Sequence, residues 1–102
     1  MSENKVLTNL LTKEHLTEVK RVGNLCFQED YQEDISVYQA IIEAFPDGAY
    51  GAFCDGVLVG YIFFHPYKRS EIKPLNSMLT LRGDENCMYL HEIAVSDRKS
   101  VV

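Results

Sequence analysis

Apolar and polar positions follow two different rhythms along this chain, and the change between them falls near residue 49. Over residues 13–28, Leu16, Val19, Val22 or Gly23, Cys26 and Phe27 recur at spacings of three and four. That is the period of a helix with one buried side. Thr12 precedes Lys13-Glu14-His15 and suits the N-cap, although the Glu three residues on that completes a capping box is missing. A second helical pattern spans about 34–45, with Ile35, Tyr38, Ile41, Ile42 and Phe45 on one side. Pro46-Asp47-Gly48 ends it, because Pro disfavours helix at the preceding residue and Asp-Gly favours a turn. Ahead of both helices, "KVLTNLL" (5–11) is compatible with a short first strand.

From residue 49 the runs become β-rich. "AYGAFC" and "VLVGYIFFH" are separated by Asp55-Gly56, a pair that tolerates the positive φ of a type I′ hairpin turn. The second run is apolar on both faces, the pattern of a central strand covered on each side. Residues 66–86 carry prolines, turn residues and scattered charge, too long for an ordinary hairpin loop and therefore a functional excursion or an irregular crossing. "CMYLHEIAV" (87–95) reads as the last strand, with His91 and Glu92 interrupting an apolar run. Strict alternation sends those two side chains to opposite faces. The order of strand, two helices, two strands, long loop and strand predicts an α+β layering with a mostly antiparallel sheet. The last strand has no successor in this chain to cover its outer edge, and such an edge invites pairing.

Composition narrows the functional classes. A length of 102 residues fits one domain, and 46% hydrophobic with 25% charged residues is ordinary for a globular chain. The net charge of −5, with no basic stripe, weighs against binding to the phosphates of nucleic acids. Cys26, Cys54 and Cys87 are odd in number and widely spaced, so neither a zinc site nor a disulfide framework is suggested. Buried free thiols in a reducing cytoplasm are expected instead. The N-terminal residues contain no long apolar run, so neither a signal peptide nor a membrane span is expected.

The element order and several quoted segments resemble the N-terminal portion of the GNAT superfamily, acetyl-CoA-dependent N-acetyltransferases. "FPDGAYGAFCDGVLVGYIFFHP" is similar to the family's second and third strands, and "YLHEIAVS" (89–96) to its fourth. The "HP" after the third strand and Pro74-Leu75-Asn76 in the following loop match one branch of it. The resemblance implies a GNAT-like mixed, mostly antiparallel sheet with two N-terminal helices, incomplete at the C-terminus. It treats residues 1–102 as a single partial acyltransferase domain, truncated before the pyrophosphate-binding loop. In the family that loop carries Arg or Gln and a Gly-x-Gly or Gly-x-Ala run, whereas here it reads "SDRKSVV" without glycine. No pyrophosphate role therefore passes to Arg98, and the chain alone is expected to be an inactive fragment.

The implied activity moves an acetyl group from acetyl-CoA, as co-substrate, to the amine of a small molecule or peptide by direct attack on the thioester. That chemistry needs a neutral amine and a polarised carbonyl held in line. An ammonium has a pKa of about 10, so a base is wanted. Glu92 is the first candidate base and His91 the second, with salt-bridge or solvent contacts the bland alternative for Glu92 and a hydrogen bond to the helices or the long loop for His91. His65, at the "HP" position, is the candidate for shaping the acceptor pocket or supporting that turn, and His15 reads as a solvated helix residue. Ile93, Ala94 and Val95 would bind pantetheine through their backbone, their side chains simply filling the sheet. No metal, nucleic-acid or membrane partner is expected. The competing expectation is a non-catalytic α+β module that binds a ligand or forms a homodimer through its last strand. Tyr50, Phe53, Tyr61, Phe63 and Phe64 read as core.

Overall fold

The computed structural model describes residues 6–96. Strand β1 (Val6–Leu10) is followed by a single 3-10 turn at Lys13–His15 and helix α1 (Leu16–Cys26). Helix α2 (Ile35–Ala44) comes next, and the turn Pro46–Gly48 leads into β2 (Ala49–Cys54), β3 (Val57–Tyr67) and β4 (Cys87–Val95). The four strands pair in the order β1-β2-β3-β4, every pair antiparallel. The result is the α+β layering that the periodicity predicts, with both helices against one face of the sheet.

Local chemistry explains where the elements begin and turn. The Thr12 hydroxyl accepts from the Glu14 N–H, and His15 Nδ1 accepts from the Thr12 N–H at 2.9 Å. His15 thus takes the part of the missing Glu in the capping box, and its ring also packs against Phe53 at 5.3 Å. It is a capping residue rather than a solvated one. Asp34 caps α2 by accepting from the Ser36 N–H. Asp55 and Gly56 adopt φ of 53° and 81°, as a tight hairpin turn between strands of natural twist requires.

The core lies between the helices and the sheet. Leu16, Val19 and Val22 of α1 and Tyr38, Ile41 and Ile42 of α2 meet Leu58, Tyr61, Phe63 and Ala94 of the sheet. Burying a side chain as large as Phe63 contributes about 2–3 kcal/mol relative to leaving it in water. Other expectations are corrected. Of the aromatic residues assigned to the core, Tyr50 is exposed and stacks with half-buried Phe64 on the far face. Cys54 is buried as expected, but Cys87 is half-buried and Cys26, the last residue of α1, is exposed. β3 is central in the strand order, yet the described residues cover only its helix-facing side, and Val59, Ile62 and Phe64 are half-buried. On that far side an open apolar depression of about 360 Å³ runs past Tyr50, Ile62, Ile93 and Val95.

One irregularity decides what β4 presents to the interior. Phe63 pairs with Glu92 and Phe64 pairs with Leu90, leaving His91 without a partner on β3. An extra residue in one strand makes a β-bulge, which breaks alternation and aims two successive side chains to the same side. Before the bulge Tyr89 and His91 face the helices; after it Glu92 and Ala94 do, while Leu90, Ile93 and Val95 face outward. His91 and Glu92 therefore share a face, against the expectation from strict alternation.

The turn before β2 tolerates no side chain. A Cβ on Gly48 would lie 1.8 Å from the backbone oxygen of Phe64, which the sheet holds in place. Gly48→Ala is expected to lower unfolding free energy by about 3 kcal/mol, as overpacking does when backbone must move. Urea denaturation of the variant checks this.

Candidate active site

The bulge places His91 and Glu92 opposite two different parts of the helical layer. His91 reaches the connection between α1 and α2, where its Nε2 lies 2.5 Å from Glu33 Oε1. Glu33 was not legible as a site residue in the sequence, since it sits in a polar turn among other acids. Its side chain is 3% exposed and that of His91 6%. A carboxylate only accepts hydrogen bonds, so Nε2 is the donor. The second Glu33 oxygen accepts from the Asn76 N–H at 3.1 Å, and both carboxylate oxygens are thereby satisfied. Burial alone raises the Glu33 pKa, but the hydrogen bonds from His91 and Asn76 and the positive charges nearby outweigh it. The carboxyl is held below its ordinary value and is ionised at neutral pH.

Asn76 explains the "PLN" segment. Its φ of 63° is a left-handed conformation that Asn accepts more readily than most residues. In that geometry its N–H meets Glu33 while its side-chain oxygen accepts from the Asp34 N–H at 2.8 Å. Lys73, also buried, donates to the carbonyl and hydroxyl oxygens of Ser77, and burial lowers its pKa against the pull of Glu33. The long excursion is thus fastened to the α1–α2 connection at the point where His91 arrives.

Glu92 meets tyrosines. Its Oε2 accepts from Tyr38 at 2.8 Å and from Tyr61, and among the described residues neither Arg nor Lys pairs with it. Burial is the main cause that holds both phenols protonated, well above their ordinary pKa. Burial also raises the Glu92 pKa, and the two tyrosine hydroxyls only partly offset it. Among the described residues Glu92 Oε1 and His91 Nδ1 find no hydrogen-bond partner, and neither is sealed from solvent, unlike His65 Nε2. The site therefore presents a carboxylate oxygen and an imidazole nitrogen, each anchored through its other end and each able to take a proton.

His65 is fully buried, its ring 5.8 Å from that of His91. Its Nδ1 lies 2.9 Å from the Pro66 carbonyl oxygen, so Nδ1 carries the proton and Nε2 the lone pair. Burial, with His91 and Lys73 adding to it, lowers its pKa and keeps it neutral. His65 thus lies beneath the site. Ile93, Ala94 and Val95 follow the bulge on β4, an edge strand of the four-stranded sheet. The segment after Ser96, where the resemblance places the family's pyrophosphate loop, lies outside the described residues, Arg98 included.

Ligand-type atoms of Glu33, His91 and Glu92 lie within 4.8 Å of one another. In the structure His91 Nε2 donates to Glu33, and Glu92 Oε2 accepts from Tyr38 and Tyr61. A larger concavity of about 970 Å³ near β1, lined by Asn9, Leu10, His15 and Phe53, contains none of these side chains.

The two carboxyls should titrate in opposite senses. Glu33, with its folded pKa lowered, contributes stability above the ordinary carboxylate pKa that is lost as pH falls through the folded value. Glu92, with its folded pKa raised, contributes stability below the ordinary value of 4.5 that is lost as pH rises through the folded value. Chemical denaturation from pH 4 to pH 8 is expected to show Glu92→Gln gaining on the unmodified protein as pH rises. A difference that stays flat with pH would contradict the raised Glu92 pKa.

Comparison with known proteins shows the fold. No family model and no curated protein matches the sequence. Among solved structures, the chain is similar to the loading GNATL domain of CurA from Lyngbya majuscula, with 21% identity and a TM-score of 0.61 over 65% of this chain and 33% of that one. It is also similar to the GphF GNAT-like decarboxylase in complex with isobutyryl-CoA, with 12% identity and a TM-score of 0.71 over 89% of this chain and 49% of that one. The chain thus spans between about a third and a half of these proteins. Two helices on a four-stranded antiparallel sheet, overlaid on such neighbours, make this a GNAT-like α+β fold.

Proposed function

We propose that the chain is the N-terminal portion of an acetyl-CoA-dependent N-acetyltransferase that acts on an amine by direct attack on the thioester. The observation that carries this reading is the bulge at His91, which turns two ionisable side chains of an edge strand onto one enclosed face. GNAT-like structural neighbours, one of them bound to an acyl-CoA, support the thioester as the co-substrate class. Glu92 or His91 takes a proton from the acceptor ammonium. The free amine then adds to the acetyl carbon, the C–S bond breaks, and the CoA thiolate leaves with the proton that the new amide nitrogen gives up. The open edge of β4 at Ile93, Ala94 and Val95 offers backbone groups to the pantetheine amides. His65 sets the floor of the acceptor side without touching the reacting atoms.

A second reading has its own support. Glu92 has a raised pKa and lies beside two protonated phenols, an arrangement that could donate a proton to the carbanion left by decarboxylation of a 2-carboxyacyl-CoA. One structural neighbour is itself a decarboxylase.

Both readings are separated by product. With the full-length protein, acetyl-CoA and a panel of amines should give amine-dependent CoA release, followed with a thiol reagent. Glu92→Gln and His91→Gln should each cut kcat/KM by about 10²–10⁴-fold if their group is the base. Gln at position 91 has an amide N–H that can still donate to Glu33, so the variant loses the base without stranding a buried carboxylate. CO2 release from a 2-carboxyacyl-CoA, with no amine-dependent CoA release, would replace the transfer reading by the second.

A further inference from the structure

We infer that Glu33 is a positioning residue of this site, holding the His91 imidazole in the Nε2–H tautomer so that Nδ1 is the atom that accepts the proton. The inference rests on the reading above, in which His91 serves as a base, and adds a residue and an atom to it. Four observations carry it. The Nε2–Oε1 distance is 2.5 Å, and both side chains are almost wholly enclosed, so the pair has little freedom to exchange with water. The other Glu33 oxygen is fixed by the Asn76 N–H, which stops the carboxylate from rotating away. The Glu33 backbone carbonyl accepts from Lys20 Nζ at 2.7 Å, which anchors the turn that carries it. Finally, His91 Nδ1 finds no hydrogen-bond partner among the described residues and is not sealed from solvent.

The proton count then follows. An ionised carboxylate cannot donate, so the neutral ring must keep its proton on Nε2 and its lone pair on Nδ1. When Nδ1 takes the proton of the acceptor ammonium, the ring becomes an imidazolium whose charge lies directly against Glu33. The amine lone pair forms the N–C bond, the thioester C–S bond breaks, the acylated nitrogen passes its surplus proton to the departing thiolate, and Nδ1 returns the first proton to water. A ring free to choose its tautomer would spend part of its time with the open nitrogen protonated, unable to act as base. The His65 ring, neutral beside that of His91, does not compete for Glu33, because its Nδ1 proton is committed to the Pro66 carbonyl.

Nitrogen-15 spectra of histidine-labelled protein at alkaline pH test this without substrate. His91 is expected as the Nε2–H tautomer, with that proton protected from exchange. Glu33→Leu should fill the space, remove the acceptor and give mixed tautomers, and kcat/KM should fall at least tenfold, a part of the about 10²–10⁴-fold that a general base supplies. Glu33→Gln keeps a carbonyl acceptor, so it should retain the tautomer and recover part of the rate. An Nδ1–H tautomer in the unmodified protein overturns the inference, as does an unchanged tautomer in Glu33→Leu. Should Glu33→Leu fail to fold, the unmodified protein still decides through its tautomer, and Glu33→Gln through exchange protection, which must weaken when the acceptor loses its charge. A full-length protein inactive on every acyl-CoA would overturn the functional reading while the spectrum continued to judge the tautomer.

Discussion

A carboxylate with almost no exposure to water must find partners for both oxygens, and Glu33 finds them on two other segments of the chain. Removing one partner of such a buried pair costs about 3–5 kcal/mol, because the remaining charge is left in a poorly solvating interior. Satisfying Glu33 therefore constrains more than one contact. His91 must come inward from β4, Asn76 must turn its N–H toward the same carboxylate, and the α1–α2 connection must lie across both. Three regions far apart in sequence are tied at one point, and the polar cluster is organised around that tie.

The bulge in β4 is the device that makes the tie compatible with the rest of the sheet. In a regular strand, bringing His91 inward would send Glu92 outward and place Ile93 against the helices. One unpaired residue lets His91 and Glu92 both face inward while Ala94 closes the core against α1. A small residue is needed there because α1 packs over that end of the strand. Glu92 then falls under the hydroxyls of Tyr38 and Tyr61, which are otherwise members of the hydrophobic core. The two anchored groups differ in electrostatic setting. His91 lies against an ionised carboxylate, whereas Glu92 lies under neutral phenols in a poorly hydrated corner.

Much of the architecture was legible because it is encoded locally. The α1 and α2 stripes, the Asp55-Gly56 turn and the stop at Pro46-Asp47-Gly48 each rest on residues within a few positions of one another. His91 and Glu92 were legible as an anomaly, two ionisable groups in an apolar strand, although their relative direction was not. Glu33 was invisible, since "QEDYQED" offers four acids and nothing within it says which one is buried. The His15 cap was not legible for a different reason: the motif is recognised by its Glu, while the geometry requires only an acceptor at that position.

The sequence by itself determined the kinds of element and their order, because helical and strand periodicities and turn preferences are properties of neighbouring residues. It also marked "CMYLHEIAV" as the segment where a core strand carries chemistry. Only the tertiary structure decided which face each ionisable group takes and what it touches. The partner of His91 lies 58 residues away and that of the Asn76 N–H 43 residues away, separations over which no local pattern carries information. The pairing of β4 with β3 fixes the bulge, and the bulge together with the burial of one carboxylate converts an ambiguous pair of letters into two anchored groups on a common face.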